Sequence, residues 1–183
     1  MAKARVLHVL TRLALGGAQR NTLDIARLLP KDRYDVEILT GPDVGAEKSI
    51  QSEFTDAGIP VHVLPGLHRE DSPTRDLAAL WRMVGLLRRG RYDVVHTHMA
   101  KAGVIGRVAA GFAHTPAVVH TVHGWPWHGF IDRKTKERYV GYERRAAERC
   151  HRIIVTSERD RGKGLAQGVA APDKFTLIRS GID

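Results

Sequence analysis

The feature that most constrains this chain is a unit that recurs along its 183 residues: a short apolar strand, a turn and an amphipathic helix. Its first instance occupies residues 5–20. The apolar run from Val6 to Leu10 predicts a buried strand. A loop carrying Gly16 and Gly17 follows, and then Leu23, Ala26 and Leu29 at helical spacing. A strand, a glycine turn and a helix together suit the holding of a phosphate. Glycine lets a ligand approach the backbone, and the helix N-terminus offers free N–H groups and a partial positive charge. A lone Gly-Gly is a weak signal, and a plain tight turn feeding the helix is the alternative.

The same alternation continues. Strands are predicted at 34–40, 60–64, 92–97, 116–122, 152–156 and 175–178. Helices are predicted at 48–56, through Leu77, Leu80, Trp81, Val84 and Leu87, through the small residues Ala102, Gly103, Gly106, Ala109 and Ala110, at 133–149, and in a short piece ending near Gly168. Gly41-Pro42, Gly58 and Pro65-Gly66 punctuate the chain, and Ser72-Pro73 reads as a helix start. Near-continuous apolar strands separated by helices predict an α/β fold, a Rossmann-like doubly wound parallel sheet of about seven strands with helices on both faces. The expected order is 3-2-1-4-5-6-7, with a ligand site where the order reverses between strands one and four.

Length suits one domain spanning 1–183. No apolar run approaches the roughly 20 residues of a membrane span, and Met-Ala-Lys-Ala-Arg running straight into a strand carries no signal-peptide pattern. The single Cys150 excludes an internal disulfide and fits a reducing cytoplasm. The net charge is +9, and 132–163 alone holds eleven Lys and Arg against six Asp and Glu. Such a segment suits an anionic membrane surface or a phosphorylated substrate, or is simply a solvated helix face. No nucleic-acid recognition motif accompanies the charge, so nucleic acid is not expected.

The aromatic stretch after the fifth strand, with Trp125, Trp127 and Phe130 among Pro and Gly, predicts a loop. Arg133, Lys134 and Lys136 follow directly. Aromatic and basic residues together predict contact with a membrane interface or a lipid-linked acceptor, on the inner face of the membrane. The alternative is that the aromatics pack under the basic helix. His96 and His98 share a strand face, and with His120 and His123 they could mimic a metal cluster. No carboxylate or Cys stands among them at ligand spacing, so no metal is expected.

Four motifs in register resemble one family: Gly16-Gly-Ala-Gln19, 93–98 (Asp-Val-Val-His-Thr-His), 121–124 (Thr-Val-His-Gly) and 178–183 (Ile-Arg-Ser-Gly-Ile-Asp). Together they resemble the N-terminal, acceptor-side domain of family 4 retaining glycosyltransferases of the GT-B fold. The resemblance covers the whole chain. It implies that the final Ser-Gly-Ile-Asp marks the crossing to a donor-binding second domain, absent here, so that the chain by itself is incomplete for catalysis. It places Gly16 and Gly17 against the donor diphosphate and His123 over the reacting sugar, as the catalytic residue. It places Gln19, His98, Lys101 and Gly124 in the acceptor cleft. It implies a nucleotide-sugar donor as substrate, no cofactor and no metal. Where many relatives carry Glu in the glycine loop, this chain has Gln19.

The competing readings are a non-enzymatic α/β scaffold, natural or engineered, that binds anionic lipid or sugar phosphate, and a sugar-nucleotide epimerase or reductase. The latter needs a dinucleotide fingerprint and a Tyr-x-x-x-Lys pair. Glu143 and Ala146 stand four residues after Tyr139 and Tyr142, and the glycine loop is not Gly-x-Gly-x-x-Gly. Self-association through the face turned to the second domain is a further expectation.

Overall fold

A computed structural model describes residues 2–43, 48–127 and 131–181. The elements run β1 (Ala4–Val9), α1 (Gly17–Leu28), β2 (Tyr34–Thr40), α2 (Gln51–Asp56), β3 (Val61–Val63), α3 (Pro73–Gly90), β4 (Val94–His98), α4 (Ala100–Ala113), β5 (Ala117–Val122), α5 (Arg133–Ala147), β6 (Arg152–Val155), α6 (Glu158–Ala166) and β7 (Phe175–Leu177). The strands form one sheet in the order β3-β2-β1-β4-β5-β6-β7, and every described pairing is parallel. The expected order and fold class are therefore those observed.

Parallel strands need crossover helices, and right-handed crossovers put helices running to opposite edges on opposite faces. α1 and α2 cover one face, where Leu23, Ala26 and Phe54 pack on Leu10, Leu13 and Ile38. α3 and α4 cover the other, with Met83, Leu87, Ala102 and Ala109 on Leu7, Val9 and Val95. α5 and α6 continue that layer toward β7, where Val140 and Leu165 meet Ile153, Val155 and Phe175.

Local chemistry sets the ends of the elements. Asp132 accepts from the N–H of Thr135 and Ser157 from that of Asp160, capping α5 and α6. Pro73 stands in the first turn of α3. The second helix is shorter than the periodicity predicts, because Ser49 bridges Ala14 and the Ile50 N–H donates to Leu13. These contacts hold the stretch before Gln51 extended. α5 stops two residues early. The N–H groups of Arg149 and Cys150 bond back to Ala146 and Ala147, three residues away, which tightens the end into a 3₁₀-type turn.

α4 lies on the sheet at a distance only glycine allows. A Cβ on Gly103 would stand 2.6 Å from the His120 ring, and one on Gly106 would stand 2.6 Å from the Thr97 methyl. The same helix buries Arg107 completely. Its guanidinium meets Glu143 of α5 at 2.5 Å and donates to the Gly103 carbonyl at 2.8 Å. A buried pair of this kind contributes little net stability, yet breaking it strands a charge. Glu143→Leu alone should therefore cost about 3–5 kcal/mol in urea unfolding, whereas the double variant Arg107→Met/Glu143→Leu should recover most of that loss.

Candidate functional site

The C-terminal ends of the parallel strands and the N-termini of the helices meet along one edge of the sheet. A groove of about 570 Å³ opens there. The start of α1 forms one wall with Gly17, Ala18, Arg20, Asn21 and Asp24. His123, just after β5, forms the floor with Thr156 after β6, and Ser180 and Gly181 after β7 close it. Among the described residues no side chain caps α1, and its first turn carries no acidic residue. Its first N–H groups are thus left for a ligand, and the helix dipole favours an anion there.

Each glycine has a separate task. A Cβ on Gly17 would meet nothing within 4 Å, so Gly17 borders open groove. A Cβ on Gly16 would stand 2.9 Å from the Gln19 side-chain oxygen, the tip of a side chain that would have to shift. Gly124 has φ +115°, a left-handed conformation that turns the chain sharply after His123. Met99, between β4 and α4, holds φ +64° without being glycine. Such a residue stores strain of about 1–3 kcal/mol and needs its surroundings to hold it.

Behind His123 stands a column of imidazoles on one face of β1 and β4. His8 lies opposite His96 in the strand register. His8 Nδ1 is 2.9 Å from His98 Nε2, and His98 Nδ1 is 3.1 Å from His123 Nε2. His96 Nε2 meets the Thr121 hydroxyl at 2.7 Å. One ring nitrogen from each of His8, His96 and His98 lies within 4.8 Å of the others, close enough for an ion to be considered. His120 does not join them. It lies in register with Thr97, on the opposite face, and bonds Thr97 under α4. Burial pushes His8 down to about 4 and lowers His123. Burial first, and then the neighbouring imidazoles, push His96 and His98 well below the usual histidine range. Burial and the charge of Arg107 do the same to His120. The column is neutral at physiological pH.

Several sequence-derived placements need correction. His98 is fully buried and lies beneath His123 instead of lining a cleft. Gln19 is buried too, its amide donating to the Arg12 carbonyl and, at 3.8 Å, to the Met99 sulfur. The Lys101 ammonium is neutralised by Asp71 at 3.1 Å and Asp76 at 2.7 Å, tying α4 to the first turn of α3 and the segment before it. Trp125 and Trp127 are only 6% and 5% exposed, which contradicts their assignment to lipid contact. They stack with ring centroids 4.5 Å apart in the core under α5, and the Trp125 indole donates to the Asp160 carbonyl at 2.7 Å. Two large rings gain more from burial than from exposure on a loop. Phe130 lies outside the described residues. Arg133 and Lys134 are exposed at the start of α5 and Lys136 is half-buried, with Arg133 paired to Glu137. Asn21, Thr156 and Ser180 went unrecognised in the sequence, although Thr156 could have been found as the residue leaving β6.

Compared with known proteins, residues 16–181 match the model of a glycosyl transferase 4-like domain. The chain is 31% identical over its full length to the UDP-Gal:alpha-D-GlcNAc-diphosphoundecaprenol alpha-1,3-galactosyltransferase of Escherichia coli, covering 46% of that protein. It is 26% identical to the D-inositol 3-phosphate glycosyltransferase of Streptomyces scabiei over 92% of the chain and 40% of the relative. The chain thus spans less than half the length of these relatives. Among solved structures, Anabaena HepE in complex with UDP and glucose superposes with a TM-score of 0.73 at 19% identity, over 97% of this chain and 45% of that one. The sucrose-phosphate synthase of Thermosynechococcus elongatus gives 0.71 at 16% identity, over 99% and 49%. These superpositions establish a fold shared with GT-B proteins.

The neutral column sets a pH dependence. Unfolded histidine binds a proton near pH 6.5, while folded His8 binds one only near pH 4. Below about 6.5 the unfolded chain therefore holds more protons, and stability falls with pH. His8 alone accounts for a loss on the order of 3 kcal/mol between pH 6.5 and 4, and His96, His98 and His120 add to it. Urea unfolding at pH 7.5, 6 and 5 should show a steep decline that shrinks in His8→Phe.

Proposed function

The chain belongs to the glycosyl transferase 4-like family, and from that premise we propose that it is the acceptor-side half of a glycosyltransferase moving a sugar from a nucleotide-sugar to a lipid-linked or saccharide acceptor with retention. The observation that carries this reading is the convergence of the uncapped α1 N-terminus, Gly17 and His123 on one groove. The groove takes the donor diphosphate: the N–H groups of α1 meet phosphate oxygens, Gly17 lets them approach, and His123 meets the sugar. Preorganised donors at a leaving diphosphate stabilise the charge that develops there without reorganisation. No metal is invoked, since the N–H groups and the second half of the enzyme supply the positive potential.

A lipid-linked acceptor is favoured by the E. coli relative, a galactosyltransferase that acts on a GlcNAc-diphosphoundecaprenol. Arg133 and Lys134 open α5 at the same edge of the sheet as the groove, where they favour an anionic headgroup surface on the cytoplasmic side. No helix among the described residues is long and apolar enough to cross a membrane, so contact of this kind is peripheral.

Two measurements test the reading. A side chain at Gly17 would enter the groove without striking protein. Gly17→Val should therefore leave the unfolding midpoint nearly unchanged and weaken binding of UDP-sugars and of pyrophosphate at least tenfold by calorimetry; equal binding by both chains would remove the diphosphate from this groove. Association with vesicles containing phosphatidylglycerol should exceed that with neutral vesicles, fall as salt rises, and drop further in Arg133→Glu/Lys134→Glu.

A further inference from the structure

The histidine column has a direction, and the direction follows from counting protons. His8, His98 and His123 are linked by two nitrogen-to-nitrogen contacts of 2.9 and 3.1 Å. Each contact needs one donor and one acceptor, and each neutral imidazole carries one N–H. Only two arrangements satisfy both contacts. In the inward one, His123 donates from Nε2 to His98, His98 donates to His8, and the spare N–H sits on His8 Nε2. In the outward one, His8 donates from Nδ1, His98 donates from Nδ1 to His123, and the spare N–H sits on His123 Nδ1.

His8 is 1% exposed and its Nε2 has no partner among the described residues. In the inward arrangement that nitrogen would be a buried N–H with no acceptor among the described residues. The outward arrangement avoids it. That arrangement also leaves the free N–H on His123, the member of the column that lines the groove, where the N–H groups of α1 already favour an anion. We propose that His8 and His98 are positioning residues whose hydrogen bonds fix His123 as its Nδ1–H tautomer, so that His123 presents a donor, not a base, to the diphosphate or sugar in the groove. This rests on the reading of the groove as the donor site.

The same imidazoles are poorly arranged for a metal. Two nitrogens bound to one tetrahedral zinc at 2.0–2.1 Å stand about 3.3 Å apart, whereas His8 and His98 meet at the shorter hydrogen-bonding distance of 2.9 Å. His96 Nε2 is also occupied by Thr121.

Long-range ¹H–¹⁵N correlation spectra of the chain labelled with ¹⁵N-histidine, at pH 7.5, decide the matter. His123, assigned by its loss in His123→Ala, should show a protonated Nδ1 and an unprotonated Nε2. His98→Ala should move it toward the Nε2–H form. His98→Asn, whose amide donates in place of Nδ1, should restore Nδ1–H, a rescue that a purely structural role would not give. A wild-type His123 protonated at Nε2 overturns the proposal even if no variant folds. So does a tautomer unmoved in a folded His98→Ala, or a stoichiometric shift of the His8 and His96 signals on adding zinc. None of these readings depends on ligand, so failure here is separable from failure of the Gly17→Val binding test.

Discussion

Everything at the working edge of this protein depends on β1 pairing in parallel with β2 on one side and β4 on the other. Parallel pairing sends every strand end to the same edge, and the reversal beside β1 leaves a gap between the chain leaving β1 and the chains leaving β5 and β6. The groove is that gap. Its walls come from residues more than a hundred positions apart: the first turns of α1, the residues directly after β5 and β6, and the stretch after β7.

The second dependence is burial. α4 sits on the sheet through Gly103 and Gly106, and that close seat forces Thr97 and His120 into the interior. On the other face His8 and His98 are buried and His96 is half-buried. Enclosure keeps these rings uncharged, and an uncharged imidazole has one donor and one acceptor in place of two donors. A column of such rings has a polarity that water-exposed histidines would not keep. Acid lability accompanies that neutrality.

Much of this was legible in the chain. Seven apolar runs with helical spacing between them imply the sheet, its order and its faces, because period and handedness leave few alternatives. Gly17 and His123 could be placed beside the groove because both follow strands at the C-terminal edge of the sheet. The roles of Gln19, His98 and Lys101 could not be read, because each depends on partners far away in sequence: Met99, His8 and His123, and the carboxylates of Asp71 and Asp76. The two tryptophans misled for a related reason. A stretch rich in Gly and Pro predicts a loop correctly, but whether a loop lies outward or folds under a helix is a question of packing.

The sequence by itself determined the architecture, the edge at which the candidate groove opens and the family. Local spacing and turn chemistry act over a few residues and need no tertiary information. Only the tertiary structure decided which glycine borders the groove, which cation is already neutralised, which aromatics are covered and in which direction the histidines donate. Those are properties of distances and burial between segments, and a one-dimensional pattern carries neither.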